Sequence, residues 1–159
     1  MAHRLEIAAA NELEALATRT FDAPRELVWE AHTRPDLVRR WLLGPDGWTM
    51  PMCEIDLRVG GKFRYLWRHA DGREMGMGGA FTEIVKPERL VHTELFDEDW
   101  TGGRTTVTQT FTERGGKTTL NMVIRYASTQ ARDAALATPM ASGMEAGYAR
   151  LDEVLRSLS

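Results

Sequence analysis

The sequence predicts an α+β fold in which a curved sheet of seven antiparallel strands wraps around a long C-terminal helix, with two short helices after the first strand. Two patterns lead to this prediction. In the middle of the chain, apolar residues recur at every second position, which is typical of half-buried strands, and turn residues separate these runs. Near the C-terminus, apolar residues recur at spacings of three and four, which indicates a helix with one buried face.

The first strand and the two short helices come first in the chain. Residues 13–21 are a candidate strand, and residues 21–42 contain two short apolar stripes of helical spacing. Between the stripes, Thr33 can cap the second helix and Pro35 suits its first turn. Helices shorter than about 12 residues are marginal alone in water, so we expect the sheet and the long helix to hold both in place.

The remaining six strands follow one another through short connections. The clearest strand, KFRYLWRH, places Phe63, Tyr65 and Trp67 on one face. Tight turns such as Asp71-Gly72 imply antiparallel neighbours, because parallel strands need a longer crossover. The six candidate strands are residues 48–57, 62–69, 73–85, 89–96, 104–113 and 117–126.

The long helix is predicted over about residues 130–158. Gly143 and Gly147 lie within its apolar stripe, although a glycine inside a helix costs about 1 kcal/mol relative to alanine. These glycines therefore either let another backbone approach closely or leave space beside the helix. The stripe consists of Met140, Met144, Tyr148, Leu151, Leu155 and Leu158.

The chain is interpreted as a flexible leader, residues 1–12, followed by one domain, residues 13–159. A length of 159 residues suits one domain with a good core. The N-terminal segment contains acidic residues and lacks a continuous apolar run, so it is not predicted to be a signal peptide.

Composition and charge argue against several functional classes. A net charge of −3 and a pI near 5.8 offer no broad basic surface for nucleic acid or an anionic membrane. No apolar run approaches the ~20 residues of a membrane span. Cys53 is the only cysteine, so no internal disulfide can form, and the cytoplasm is the expected location.

No sequence pattern indicates a cofactor or a metal. The four histidines and Cys53 lack the spacing of metal ligands. The glycines of residues 76–79 do not complete a dinucleotide-binding fingerprint, and no strand-turn-helix pattern surrounds them. We therefore expect neither a cofactor nor a bound metal ion.

Several segments in this order resemble a known family. They are FDAPRELVWEAHTRPDLVRRW, DGW, DLRVGGKFRY, GGAFTEIVKPERLVHTE and GMEAGYARLDEVL. They are similar to the SRPBCC superfamily, also called START-like or birch-pollen-allergen-like, and within it to the group named after the activator of heat shock protein 90 ATPase. The resemblance implies the helix-grip fold and the binding or transformation of diverse apolar ligands, but it does not specify one function.

The expected binding site is an internal cavity between the sheet and the long helix. Ligand sites are mostly apolar and rich in aromatic residues, and methionine suits irregular apolar surfaces. Trp41 and Trp48 are expected near the mouth, and Gln109 is a candidate polar group in the wall. The candidate ligand-binding residues are Trp41, Trp48, Phe63, Tyr65, Trp67, Met77, Gln109, Met140, Met144 and Tyr148.

His92 and Glu94 lie two residues apart on a predicted strand and therefore share a face. If that face points inward, the two could act as an acid–base pair. Val91, Thr93 and Leu95 form the competing face and look more like core residues. The sequence therefore favours a structural role for His92 and Glu94 over catalysis, and no catalytic residue is assigned.

The predicted function is binding of a small hydrophobic ligand in the internal cavity. The alternative is an enzyme of the cyclase, dehydratase or hydrolase kind that uses inward polar residues. A second alternative is a co-chaperone-like protein-interaction domain. The expected partner is a small hydrophobic molecule and not nucleic acid, and formation of a homodimer is left open.

Overall fold

Alternating burial defines the strands in the computed structural model, which describes residues 3–158. Within those residues the strands are β1 (Glu6–Ala9), β2 (Glu14–Phe21), β3 (Trp48–Ile55), β4 (Lys62–His69), β5 (Glu74–Val85), β6 (Arg89–Phe96), β7 (Thr105–Arg114) and β8 (Lys117–Arg125). The helices are α1 (Arg25–Thr33), α2 (Pro35–Trp41), α3 (Thr129–Leu136) and α4 (Met140–Leu158). None of these helices has the length and apolar character that a membrane crossing requires.

The strands form one antiparallel sheet in the order β1-β2-β8-β7-β6-β5-β4-β3. Strands β3 to β8 form the predicted meander, and the β7–β8 turn uses Gly115 and Gly116 at φ values of +60° and +78°, as a tight hairpin requires. Strand β2 pairs with β8, from Glu14–Arg125 to Phe21–Thr118. The two short helices therefore carry the chain to the opposite edge of the sheet.

The helix-grip prediction is confirmed, but the sheet has one strand more than the seven predicted. The additional strand is β1, which forms within the segment interpreted as a leader and pairs with β2 from Glu6–Thr18 to Ala9–Ala15. Its four residues form an edge strand and are largely exposed, so they carry no clear period-two signal. Residues 1 and 2 of the same segment lie outside the described residues.

The prediction of one long C-terminal helix is wrong at its N-terminal end, where the structure has two helices. Helix α3 ends at Leu136, and α4 begins directly after Pro139. Proline lacks the N–H that would bond to the carbonyl four residues earlier, and its ring collides with that carbonyl. The chain therefore turns between the two helices.

The predicted Thr33 cap is also wrong. Thr33 belongs to the last turn of α1, where its hydroxyl donates a hydrogen bond of 2.8 Å to the carbonyl oxygen of Trp29. Arg34 occupies the capping position of α2 without a side-chain hydrogen bond, and Pro35 is the first helical residue. The position of Pro35 confirms that part of the prediction.

The main core lies between the sheet and helices α1, α2 and α4. A buried cation, Arg19 of β2, connects the sheet to α4 at one side of this core. Its guanidinium donates to Asp152 Oδ2 at 2.7 Å and to Glu145 Oε2 at 3.3 Å. It also lies 5.0 Å from the ring centroid of Phe21.

Candidate functional site

A small cavity of about 80 Å³ lies within the main core, between the sheet and the helices. Strands β4 to β8 contribute one wall, and α1, α2 and α4 contribute the other. The wall is mostly apolar and aromatic. Its apolar side chains and tyrosines are Val38, Trp41, Leu42, Phe63, Tyr65, Phe81, Leu90, Met122 and Tyr148.

Strand register brings the sheet side of the wall together. His92 of β6 lies opposite Phe81 of β5. On the other side of β6, Leu90 lies opposite Gln109 of β7, which in turn lies opposite Met122 of β8. A row of side chains from four neighbouring strands therefore points toward the helices.

The structure brings five of the ten predicted site residues to this cavity. They are Trp41, Phe63, Tyr65, Gln109 and Tyr148. The Trp41 ring stacks on Tyr148 with 5.6 Å between centroids, and its indole N–H donates to the carbonyl oxygen of Ala31 at 2.9 Å. A stacking contact and a hydrogen bond therefore hold the Trp41 ring in place.

Two further predicted residues lie in the core but not in the cavity wall. The Trp67 indole N–H donates to the carbonyl oxygen of Leu42 at 2.7 Å, and its ring stacks on Phe96 with 6.4 Å between centroids. Met77 is buried opposite Tyr65 in the β4–β5 pairing. Both residues therefore lie on the same face of the sheet as Tyr65, beside the cavity wall.

The last three predicted residues do not line the cavity. Trp48 is on the edge strand β3, where its ring contacts His69 with 5.0 Å between centroids. Met140, at the start of α4, packs against a second, smaller cluster and lies 3.9 Å from the hydroxyl of Tyr126. Met144 packs on the main core and is half-buried.

The inward face of β6 is the opposite of the one that the sequence favoured. His92 is 6% exposed and lines the cavity with Glu94, whereas Leu95 is 42% exposed. His92 Nε2 lies 2.9 Å from Glu94 Oε2. Leu90 and Val91 give both faces of this strand an apolar residue, so the sequence alone could not decide which face is buried.

The sequence analysis missed five apolar wall residues, Val38, Leu42, Phe81, Leu90 and Met122, and one polar wall residue, His32. Its Nδ1 lies 2.7 Å from the carbonyl oxygen of Val28, one helical turn earlier. The rings of Trp41 and Phe111 flank it, with centroid distances of 4.9 and 5.2 Å. Burial lowers the pKa of His32 to about 4. Val28 belongs to the apolar stripe of the first short helix, and its spacing of four from His32 is the sequence signal that could have placed His32 inside.

Three buried polar atoms of the wall have no hydrogen-bond partner within residues 3–158. They are His32 Nε2, His92 Nδ1 and Gln109 Oε1. Buried polar groups in proteins are nearly always paired. Because their residues line the cavity, the three atoms are available for hydrogen bonds with an occupant.

The two tyrosines of the wall are neutral phenols. Burial raises the pKa of Tyr65 and of Tyr148 well above the ordinary value. A neutral phenol can both donate and accept a hydrogen bond. The cavity thus combines aromatic surface with a few convergent polar groups, which is the usual composition of a small-molecule site.

A wider depression of about 450 Å³ lies at the β3–β4 connection. It is open to solvent, and charged residues such as Glu54, Asp56 and Lys62 line it. Asp56 pairs with Arg58 at 2.8 Å, and both are exposed. This depression is larger than the internal cavity but lacks the enclosed aromatic wall of a ligand site.

No three histidine, cysteine, aspartate or glutamate side chains meet as potential metal ligands anywhere in residues 3–158. The cavity contains His32, His92 and Glu94 among its polar residues. These side chains can form hydrogen bonds inside the cavity.

Comparison with protein families gives one match. The profile described as activator of Hsp90 ATPase homolog 1-like protein (AHSA1) matches residues 22–156. The matched range contains α1, α2, the strands from β3 to β8 and nearly all of α4. Among proteins with curated descriptions, none matches this chain.

Solved structures share the fold. A protein from Rhodobacter sphaeroides is 37% identical, covers 97% of this chain and 99% of its own, and superposes with a TM-score of 0.91. A protein from Nitrosomonas europaea is 22% identical, with coverages of 96% and 99% and a TM-score of 0.83. An AHSA1-like protein from Aeromonas hydrophila is 20% identical, with coverages of 87% and 93% and a TM-score of 0.65. The latter two similarities concern the fold alone.

Proposed function

The chain belongs to the family of activator of Hsp90 ATPase homolog 1-like proteins, and on this premise we propose that it binds a small hydrophobic ligand in the internal cavity. The fold of this superfamily commonly binds hydrophobic ligands or acts as a co-chaperone-like domain. The observation that carries the proposal is the enclosed wall of aromatic rings from α2, β4, β5 and α4. Such a wall favours an apolar molecule.

The volume of the cavity limits the size of the ligand. An engineered cavity of about 150 Å³ accommodates benzene, so the 80 Å³ observed here must enlarge to admit a single ring. Leu42 and Met122 are half-buried members of the wall, and methionine adapts readily to irregular shapes. We expect these side chains to move when a ring enters.

A binding experiment with matched variants tests the proposal. Purified protein is screened by tryptophan fluorescence and thermal shift against small aromatic and alicyclic compounds. A ligand that prefers the folded state raises the melting temperature. Leu90→Phe fills the cavity from β6 and should weaken binding at least tenfold, whereas Leu95→Phe, on the exposed face of the same strand, should leave binding unchanged.

Met122→Phe fills the cavity from β8 and guards against a folding defect in Leu90→Phe. Binding that survives in both well-folded variants would place the ligand elsewhere. A library that produces no shift at all would count against the binding role. Native mass spectrometry of protein from its own host adds the mass of any retained ligand and reports whether the chain forms a homodimer.

The second candidate function is an enzyme of the cyclase, dehydratase or hydrolase kind. The His92–Glu94 contact of 2.9 Å favours it, because a carboxylate that holds one imidazole nitrogen leaves the other available as a base. His92 Nδ1 is that other nitrogen, and it is buried without a partner. Turnover of a bound compound that disappears in Glu94→Gln, with binding retained, would favour the enzyme over the binder.

We also propose a cytoplasmic location. The proposal is supported by the single cysteine, Cys53, which is half-buried and free and cannot form an internal disulfide. Disulfides are typical of oxidising compartments. Fractionation of the native host with an antibody against the protein tests this location.

A further inference from the structure

We propose that the cavity selects ligands that donate hydrogen bonds, through a set of three acceptor atoms: His32 Nε2, His92 Nδ1 and Gln109 Oε1. The ligand class is a small apolar molecule with a hydroxyl or N–H group. This inference rests on the proposed function, because it concerns the ligand of the same cavity. It goes further by specifying the polar group that the ligand must have.

The hydrogen bond of His32 to its own helix assigns its tautomer. Nδ1 lies 2.7 Å from the carbonyl oxygen of Val28, and a carbonyl oxygen only accepts, so Nδ1 carries the hydrogen. In the neutral ring, Nε2 then has a free lone pair. Burial lowers the pKa of His32 to about 4, so Nε2 is an acceptor at neutral pH.

His92 is oriented in the same way by a carboxylate. Its Nε2 lies 2.9 Å from Glu94 Oε2, and a carboxylate only accepts, so Nε2 carries the hydrogen and Nδ1 of the neutral ring accepts. The rings of Phe63 and Phe81 lie 5.2 and 6.2 Å from the imidazole centroid. They fill the space around His92 without offering it a hydrogen bond.

Gln109 contributes the third acceptor. Its side-chain oxygen is buried without a partner, and its cross-strand neighbours Leu90 and Met122 are apolar. The residue as a whole is 7% exposed. An occupant of the cavity is therefore the partner that remains for this oxygen.

Three acceptors in one apolar wall favour ligands that donate a hydrogen bond over ligands that only accept one. A hydroxyl or N–H group of a ligand satisfies one or more of them. A ketone, an ether or a hydrocarbon leaves all three acceptors unpaired, even where a ketone or an ether accepts a hydrogen bond from Gln109 Nε2 or from the hydroxyl of Tyr65 or Tyr148. Sites that hydrogen-bond a ligand strongly reject analogues that lack the matching group, because their own polar atoms then remain buried and unpaired.

The test uses two pairs of probes that have nearly the same shape. Phenol and pyrrole donate a hydrogen bond, whereas toluene and furan do not. Dissociation constants are measured by tryptophan fluorescence, and ¹⁵N chemical shifts of the histidine rings are recorded during the titration. We expect each donor to bind about tenfold tighter than its partner, and we expect the signals of His32 Nε2 and His92 Nδ1 to move with the donors only.

A matched pair of variants locates the effect. Gln109→Leu should reduce the phenol-to-toluene ratio of affinities severalfold, because an acceptor is lost while apolar surface is kept. Gln130→Leu removes the exposed glutamine of α3 and should leave the ratio unchanged. A ratio that stays the same in Gln109→Leu would overturn the role of Gln109 as an acceptor.

The outcomes separate this inference from the function on which it rests. If toluene and furan bind as tightly as phenol and pyrrole, the cavity is a ligand site but the selection of donors is overturned. If none of the four probes binds and the histidine signals stay in place, the cavity does not admit small ring compounds. Both the donor selection and the proposed binding of small ligands are then overturned.

Discussion

Gly147 of α4 faces the backbone carbonyl oxygen of Trp41 at the end of α2. A Cβ atom built on Gly147 would lie 3.1 Å from that oxygen, which is closer than an ordinary van der Waals contact. Gly147 does not line the cavity. Of the two roles that the sequence left open for this glycine, the structure therefore supports the close approach of another backbone.

Substitutions at the two glycines of α4 should have opposite effects on stability. Gly147→Leu should lower the free energy of unfolding by about 1–3 kcal/mol, as expected for overpacking. Gly143→Ala should raise it by up to about 1 kcal/mol through helix propensity, because its Cβ would lie at an ordinary 3.6 Å from Pro45. Urea unfolding measures both values.

Gly143→Leu is the matched control, since it adds the same side chain one turn earlier at a half-buried position. Equal stability of Gly147→Leu and Gly143→Leu would show that the backbone at Trp41 shifts at little cost to accommodate the side chain. Gly147 would then have no special packing role.

Arg19 should contribute strongly to stability because it pairs with two acids while it is almost fully buried. Arg19→Met removes the cation and leaves Glu145 and Asp152 near each other without it. Loss of one partner from a buried ion pair costs about 3–5 kcal/mol. We expect about 3 kcal/mol here, since the two carboxylate side chains are 32% and 25% exposed and water can partly solvate them.

Arg64→Met is the control for this experiment. Arg64 pairs with Asp97 on the surface, and exposed ion pairs contribute about 0–1 kcal/mol. Combining Arg19→Met with Glu145→Gln and Asp152→Asn should recover part of the lost stability. If thermal or urea unfolding shows the same small loss of stability for Arg19→Met and Arg64→Met, Arg19 does not make the strong contribution predicted here.

His32 should make the domain less stable in mildly acidic solution. Burial lowers its pKa from 6.5 to about 4, so in that pH range the unfolded chain binds a proton at His32 that the folded chain does not. The contribution of His32 is therefore fully present above about pH 6.5 and is lost as the pH falls toward 4, by a total on the order of 3 kcal/mol. Urea midpoints across this range measure the effect.

His32→Phe should flatten this part of the pH dependence, because no proton binds at that position in either state. If His32→Phe and the wild type lose stability in parallel from pH 6.5 to 4, other groups must account for the acid sensitivity.

Local features of the sequence were sufficient to place most elements. Strand β4 is predicted with the same bounds that the structure has, and the limits of β6 also agree, because alternation of side chains is a property of the strand itself. Pro35 marks the start of α2 because its ring restricts the backbone, and this effect is also local. The meander from β3 to β8 follows from connections of two to eight residues, which are too short for the crossover that parallel strands need.

The pairing of strands that are far apart along the chain could not be inferred from such local features. Strand β2 pairs with β8 about a hundred residues later, and β1 becomes a strand only because β2 offers it a free edge. The buried face of β6 also depends on tertiary contacts, because Leu90 and Val91 make both faces locally plausible. Register across the sheet decides which of them is covered by the helices.

The cavity also combines features that the local sequence predicts with features that depend on the tertiary structure. Its aromatic residues on β4 were predicted because Phe63 and Tyr65 alternate along one strand. Its acceptors come from α1, β6 and β7, and residues 32, 92 and 109 meet only when the sheet curves around the helices. The sequence alone does not show whether a histidine is buried or exposed. Only the tertiary structure decides what surrounds its nitrogens, and therefore which of them remains available to a ligand.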